Sequence, residues 1–198
     1  MVDAMNRKSF IALLRVIIRM IIRRYFRMIS KKMQEKLNYQ INREIFSAYL
    51  YLSMASYASA KEFDGFANWF LCQYKEELSH AEKFYHYVNE QGSKVYLEVI
   101  EKPEEVFSSI LDLFEKTLAH EKKVTGLIHD LVKLAREEND YATEYFLQWF
   151  VTEQIEEEAE PEKILHKLKM IGEEDNGIIM MDKTLADRTF TPPATEND

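Results

Sequence analysis

Residues 77–88 read ELSHAEKFYHYV. Extended backwards, the stretch sets Phe66, Phe70, Gln73, Glu77, His80, Phe84 and Tyr87 at steps of three and four, which is one face of a helix. The row is mainly aromatic, yet Glu77 and His80 stand in its middle. An ionisable group in an apolar seam is costly unless something compensates it. What compensates Glu77 and His80 must come from the other helices.

Periodicity predicts three more of them. The first covers about residues 32–60, with Leu37, Ile41, Glu44, Ala48, Tyr51, Leu52 and Ala55 as its seam. KEFDG breaks it, with Asp64 and Gly65 as turn and cap residues. The helix carrying Glu77 covers about 66–90 and ends at Gly92. GSKVYLEVIEKPEE, residues 92–105, has strand-like alternation, Pro103 and no helical face. A third helix spans about 106–138, with the seam Leu111, Phe114, Leu118, Glu121 and Ile128; Gly126 inside it costs about 1 kcal/mol against Ala. After the joint NDY, a fourth spans about 142–171, with Phe146, Phe150, Glu153, Glu157, Ile164 and Leu168 along one side. Pro161 falls within it and should kink it. Gly172 and Gly177 flank its end. IIMMDKTLADRTF is a short amphipathic fifth segment, and TPPATEND, residues 191–198, reads as a flexible tail.

Connection lengths turn these helices into a fold. Each is about 40 Å long at 1.5 Å per residue. Short joints after the first and third force antiparallel neighbours. The middle connection reaches about 46–50 Å when extended, enough to run the length of the bundle and return the chain to its starting end. The predicted class is all-α: a four-helix bundle with one long crossover between helices 2 and 3, plus a short C-terminal fifth helix.

Composition agrees. The chain has 198 residues, 46% of them apolar and 30% charged, with five Gly and four Pro, which fits one helical domain with a proper core. A lone cysteine, Cys72, excludes a disulfide framework, a Cys-rich zinc site and a rubredoxin-type iron centre, and suits a reducing cytoplasm. The net charge of −8 conceals two populations: residues 1–27 carry seven Lys/Arg and one Asp, a charge of +6, and the remaining 171 residues carry −14. An acidic body argues against nucleic acid and for cations or basic partners.

The basic head holds SFIALLRVIIRMIIRRYFRMI, in which Arg15, Arg19, Arg23, Arg24 and Arg27 each cost about 2.5–3.5 kcal/mol near a bilayer centre, so it does not read as a span. Its arginines cover about half of a helical wheel, as in helices that lie in a membrane interface or in transit peptides. Three readings stand: an extension upstream of a start at Met28, a targeting or membrane-contact segment, or a structural element. The boundaries expected are a basic amphipathic extension over 1–27, the bundle domain over 28–190 and the tail over 191–198.

Each predicted helix carries an ionisable group in its seam: Glu44, then Glu77 with His80, then Glu121, then Glu153 with Glu157. A single intruding Glu is ordinarily a satisfied core residue. Four at comparable depth, with no Lys or Arg recurring in the seams, need cations between them. One imidazole among four or five carboxylates suits Fe or Mn rather than Mg²⁺ or Ca²⁺. Glu77-x-x-His80 puts both side chains one turn apart on one face, able to hold one ion while Glu77 reaches a second. Gln154-x-x-Glu157 repeats the spacing with an amide and a carboxylate. A dinuclear iron site inside the bundle is the reading these residues support.

LNYQINREIFSAYLYLSMASY, GFANWFLCQYKEELSHAEKFYHYVNEQG and FLQWFVTEQIEEEA resemble the non-haem ferritins of bacteria and archaea, and the likeness spans about residues 28–193. The resemblance implies an iron-storage protein that oxidises Fe²⁺ with O₂ or H₂O₂ at a di-iron centre, and deposits ferric mineral inside a hollow homo-oligomeric shell of 24 subunits. It implies Glu44, Glu77 and His80 on one iron and Glu77, Glu121 and Glu157 on the other. Gln154 assists, Tyr51 is a nearby redox-active tyrosine, and Glu76, Glu153 and Glu156 form a third iron site. Trp149 matches a tryptophan beside the centre, or simply packs. The family fold begins its first helix on the outside of the shell, so residues 1–27 would project outward, able to touch a membrane or an acidic surface.

Departures from related families narrow the reading. Haem-binding bacterioferritins carry a Met after the first Glu and a second Glu-x-x-His; here Leu78 and Glu157 stand at those positions, so no haem is expected. His86, His120, His129 and His166 lack a ligand pattern and read as surface or packing residues. Two rival functions remain: an inert ferritin subunit, which the full ligand set opposes, and a di-iron oxygenase, which the missing second Glu-x-x-His opposes.

Overall fold

Helices begin where a short polar side chain can accept the first unpaired amides. Ser30 does this for α1 (Lys31–Ala60), its Oγ accepting from Met33 N at 2.9 Å. The next helix, α2 (Asp64–Glu90), has Phe63 at its cap position and no cap of its own. Ser109 caps α3 (Ile110–Glu137) through Asp112 N, and Asp140 caps α4 (Tyr141–Ile171) through Thr143 N. A short helix, α5 (Asp175–Leu185), closes the described chain, and its Asp182 supplies what α2 lacks, Oδ1 accepting from Phe66 N at 2.9 Å.

These elements come from a computed structural model that describes residues 29–172 and 175–192, together with Leu14. The rest of the basic head, the boundary at Met28 and the tail beyond 192 lie outside the described residues. Among the described residues there is no strand, and the architecture is the all-α four-helix bundle with a long crossover and a fifth helix. α1 packs chiefly on α2, α3 on α4, and α5 on α2.

Residues 91–109 form the crossover, and α1 provides its track. Gln34 Nε2 donates to Lys94 O (2.8 Å), Tyr96 N to Asn38 Oδ1 (2.6 Å), Asn42 Nδ2 to Val99 O (3.1 Å) and Ser53 Oγ to Glu104 O (2.7 Å). Both partners climb in number together, so the crossover runs parallel to α1. Polar side chains of α1 thus take up part of its backbone hydrogen bonding without helix or sheet.

Three expectations change in detail. α3 starts at Ile110 rather than near 106, because Ser109 and Asp112 cap one another's region, Ser108 N donating to Asp112 Oδ2 at 2.9 Å. Asp64 and Gly65 lie in the first turn of α2, and the break falls at Lys61–Glu62, where Glu62 takes a positive φ of 62°. Gly177 lies inside α5 rather than between helices, while Gly172, at φ 64°, ends α4. α4 itself carries on through Pro161, which leaves the Glu157 carbonyl without its helical amide partner.

The interior is layered along the bundle. One apolar cluster gathers Tyr51, Met54, Phe66, Phe70, Phe114 and Leu168 at the α5 end. Another gathers Met33, Leu37, Phe84, Ile128, Leu147 and Phe150 at the opposite end. Between them lies a layer of buried polar side chains from all four long helices: Gln40, Glu44 and Ser47; Gln73, Glu77 and His80; Thr117 and Glu121; Gln154 and Glu157.

Candidate metal centre

The mid-bundle layer is as buried as the apolar cores that bracket it. Glu44 and Glu77 are each 1% exposed, Glu121 0%, His80 2% and Glu157 7%. None of the buried polar side chains among the described residues is Lys or Arg. Carboxylates from four helices therefore meet without a fixed counter-ion.

Their geometry resolves into overlapping triangles. Ligand atoms of Glu44, Glu77 and His80 lie within 4.8 Å of one another, and so do those of Glu77, Glu121 and Glu157. A further group joins His80, Glu153 and Glu157. Glu77 and Glu157 each belong to two groups, so the positions are adjacent. His80 Nδ1 lies 3.6 Å from Glu77 Oε2 and its Nε2 lies 3.7 Å from Glu153 Oε1, ion-pair separations too long for hydrogen bonds. Glu77 Oε2 and His80 Nε2 are buried without a hydrogen-bond partner. Buried polar atoms left without a partner beside one another are what a bound cation would satisfy.

Burial pushes these carboxyls upward. Glu157 is raised to about 8 by burial and then by Glu121, and Glu121 to about 7 by burial, against the hydrogen bonds from Tyr51 and Gln154. Glu77 is raised well above its ordinary range by burial, with His80 opposing and Glu121 and Glu44 adding. Burial would lower His80, but the carboxylates of Glu153 and Glu77 outweigh it and hold it well above its usual value. Without metal, the layer keeps protons where it lacks positive charge.

Neighbouring donors orient the carboxylates. Gln40 Nε2 donates to Glu44 Oε1 at 2.7 Å, and Gln73 Nε2 to Glu157 Oε2 at 2.6 Å. Tyr51 is fully buried and its hydroxyl donates to Glu121 Oε1, while Gln154 Nε2 approaches Glu121 Oε2 at 3.3 Å and Thr125 Oγ1 at 3.2 Å. Burial, followed by the Glu121 charge, raises the Tyr51 phenol well above its ordinary value. Trp149 sets its ring edge-on to His80, centroids 5.5 Å apart.

Sequence reasoning named Glu44, Glu77, His80, Glu121, Gln154, Glu157 and Tyr51; the fold brings the first six into this layer, and Tyr51 reaches it from the adjoining apolar cluster through Glu121. Glu153 is only partly buried, at the layer's edge beside His80. Glu76 and Glu156 stand further out, lining with Glu153, Glu157, Glu160 and Arg188 a cleft of about 70 Å³. The orienting roles of Gln40 and Gln73 were missed, although each precedes a seam glutamate by four residues. Arg188 was missed with no signal to find it. His120 is half-buried, packed on Phe46 and Tyr51 with Nε2 2.7 Å from Ser47 Oγ, whereas His86, His129 and His166 are exposed.

Comparison with known proteins places this architecture. Residues 34–171 match the model of the ferritin-like domain family. The bacterial non-heme ferritin of Staphylococcus epidermidis is 43% identical over 148 residues, covering 75% of this chain and 89% of that protein. The Staphylococcus aureus (strain MRSA252) counterpart is 42% identical over 147 residues, with 74% and 89% covered. Among solved structures, an engineered closed form of the Archaeoglobus fulgidus ferritin has 50% identity and a TM-score of 0.81, covering 82% of this chain and 99% of its own. A structure described as a humanized archaeal ferritin gives 50% and 0.82, with 83% and 99% covered.

Proposed function

Because the chain belongs to the ferritin family, we propose that it stores iron: it oxidises Fe²⁺ in the buried mid-bundle layer and deposits ferric mineral inside a hollow shell of like subunits. The observation that carries this is the overlap of two ligand triangles at Glu77, in a layer where the described side chains include carboxylates and no Lys or Arg. One Fe²⁺ takes Glu44, Glu77 and His80; the other takes Glu77, Glu121 and Glu157. Four carboxylates match the charge of two divalent ions. Bound side by side, the ions deliver two electrons to one O₂ or H₂O₂, and hard oxygen ligands favour the Fe³⁺ that results.

The chain's own groups serve this step. Gln40 and Gln73 fix the carboxylates they touch. Glu121, Glu157 and Glu77 give up protons as metal enters. Tyr51, in contact with Glu121, is placed to supply a further electron, and Gln154 steadies the same carboxylate. Glu76, Glu153 and Glu156 form a third, outer position. Leu78 and Glu157 stand where a haem-binding relative would need Met and His, so we assign no haem.

A subunit of 23.5 kDa encloses no mineral, so storage requires an assembly, which we propose to be a 24-subunit homo-oligomer in the cytoplasm. Among the described residues no helix is long and apolar enough to cross a membrane. The charge of +6 on residues 1–27 suits contact with anionic surfaces.

Stopped-flow oxidation of Fe²⁺ by the assembled Glu77→Ala/His80→Ala protein tests the centre. Removing two ligands should slow the initial phase by more than the roughly 10–100-fold that loss of an outer-shell partner costs. A correctly assembled double variant that oxidises Fe²⁺ at the parent's rate would sink the assignment. Native mass measurement, before and after Fe²⁺ and air, checks the subunit number and mineral uptake.

A further inference from the structure

The cleft outside the layer already holds a cation, and it belongs to the chain. Arg188 follows α5, and its Nη2 donates to Glu76 Oε2 at 2.9 Å and Glu160 Oε2 at 3.1 Å. Its Nη1 donates to Trp69 O at 3.2 Å, and its guanidinium lies 4.9 Å over the Trp69 ring. Asn68 on α2 straps the segment in place, Nδ2 donating to the carbonyls of Leu185 (3.2 Å), Ala186 (3.2 Å) and Arg188 (2.8 Å). Asp182 adds its cap on Phe66. The other residues lining the cleft are all glutamates: Glu76, Glu153, Glu156, Glu157 and Glu160. On the inner side, the buried and unpartnered Nε2 of His80 faces Glu153 at 3.7 Å.

A guanidinium is positive at every working pH, and its planar fork suits two carboxylates at once. A metal ion at the outer position would therefore compete with Arg188 for Glu76 Oε2, and the two cations repel each other. We propose that Arg188 is a tethered counter-ion of this cleft: it holds Glu76 and Glu160 when the cleft is metal-free and keeps the outer position weak for divalent cations, so that an ion there stays exchangeable. The proposal rests on the reading of Glu76, Glu153 and Glu156 as a metal position. The strap through Asn68 makes the counter-ion a property of the C-terminal segment, not of the four-helix bundle.

Calorimetric titration of the assembled full-length protein with Zn²⁺, which cannot be oxidised, tests it. R188Q keeps amide donors and the strap but removes the charge, and should tighten the weaker Zn²⁺ binding about tenfold through loss of like-charge repulsion. R188K keeps the charge and should bind Zn²⁺ as the parent does, an outcome a merely structural Arg188 would not give. N68A removes the strap without altering any charge, should tighten the same event, and answers the question if R188Q does not assemble. Weak binding that disappears in E153A/E156A yet does not change in R188Q and N68A overturns the counter-ion alone. Weak binding that persists in E153A/E156A removes the cleft as the metal's seat, and the proposal falls with that reading.

Discussion

Glu157 and Glu121 hold their protons to about pH 8 and pH 7, because burial penalises their charged forms. In the unfolded chain a glutamate titrates near about 4.3. Between those values the metal-free folded protein binds more protons than the unfolded one, so its stability falls as pH rises through about 4.5–8. His80 acts in the same sense: with its folded value raised, its contribution is full below the unfolded value and is lost as pH climbs through the folded one. Replacing both glutamates by glutamine removes their share of this dependence and leaves that of Glu77 and His80. Thermal melts of metal-free E121Q/E157Q should therefore lose less stability than the parent between about pH 5.5 and 8.5, by at least about 1.4 kcal/mol, the worth of one pKa unit. Parallel curves for the two proteins would contradict these proton assignments. The same protons must leave when metal enters, so divalent-ion binding at neutral pH should release protons and strengthen with pH, as titration in buffers of different ionisation enthalpy would record.

At the scale of elements, two glycines make opposite predictions. A methyl on Gly65 would sit 1.7 Å from the Asp182 carbonyl oxygen, so G65A must push α5 off the start of α2 and remove its cap. Gly126 meets nothing within 4 Å and its helical φ needs no glycine, so G126A should stabilise α3 by about 0.5–1 kcal/mol. Denaturant midpoints of both variants check the pair. These residues also mark what the sequence could carry. The 3.6-residue period exposed all four long helices, and glutamates breaking that period exposed the layer, since both signals repeat along one element. Relations between elements could not be read from a period. Gln34, Asn38 and Asn42 recur every four residues, but only the crossover lying on them explains why. The α2 cap comes from Asp182, more than a hundred residues away in sequence. Arg188 reaches Glu76 only because α5 folds back, and an isolated arginine after a short helix reads as surface.

For the whole molecule, charge is divided between a head of +6 and a body of −14. The described start of α1 is closed by residues that follow the head. Ile29, 2% exposed, seals the core cluster farthest from α5, and Ser30 caps α1, so a chain beginning at Met28 keeps both. Among the described residues, no group in the mid-bundle layer comes from before residue 40. A protein beginning at Met28 should therefore assemble, melt within about 0.5 kcal/mol of the full chain, as changes outside packed regions do, and oxidise Fe²⁺ at the same initial rate. The full chain should differ in one respect. Seven basic side chains near an anionic surface contribute about 1 kcal/mol each at low ionic strength, and salt at about 0.15 M shortens their reach to about 8 Å. Co-sedimentation with phosphatidylglycerol vesicles should retain the full chain and not the shortened one, with retention lost as salt rises. Equal retention of both proteins would move membrane contact to the bundle. Failure of the shortened chain to assemble would make residues 1–27 part of the fold and shift the domain boundary upstream of Met28.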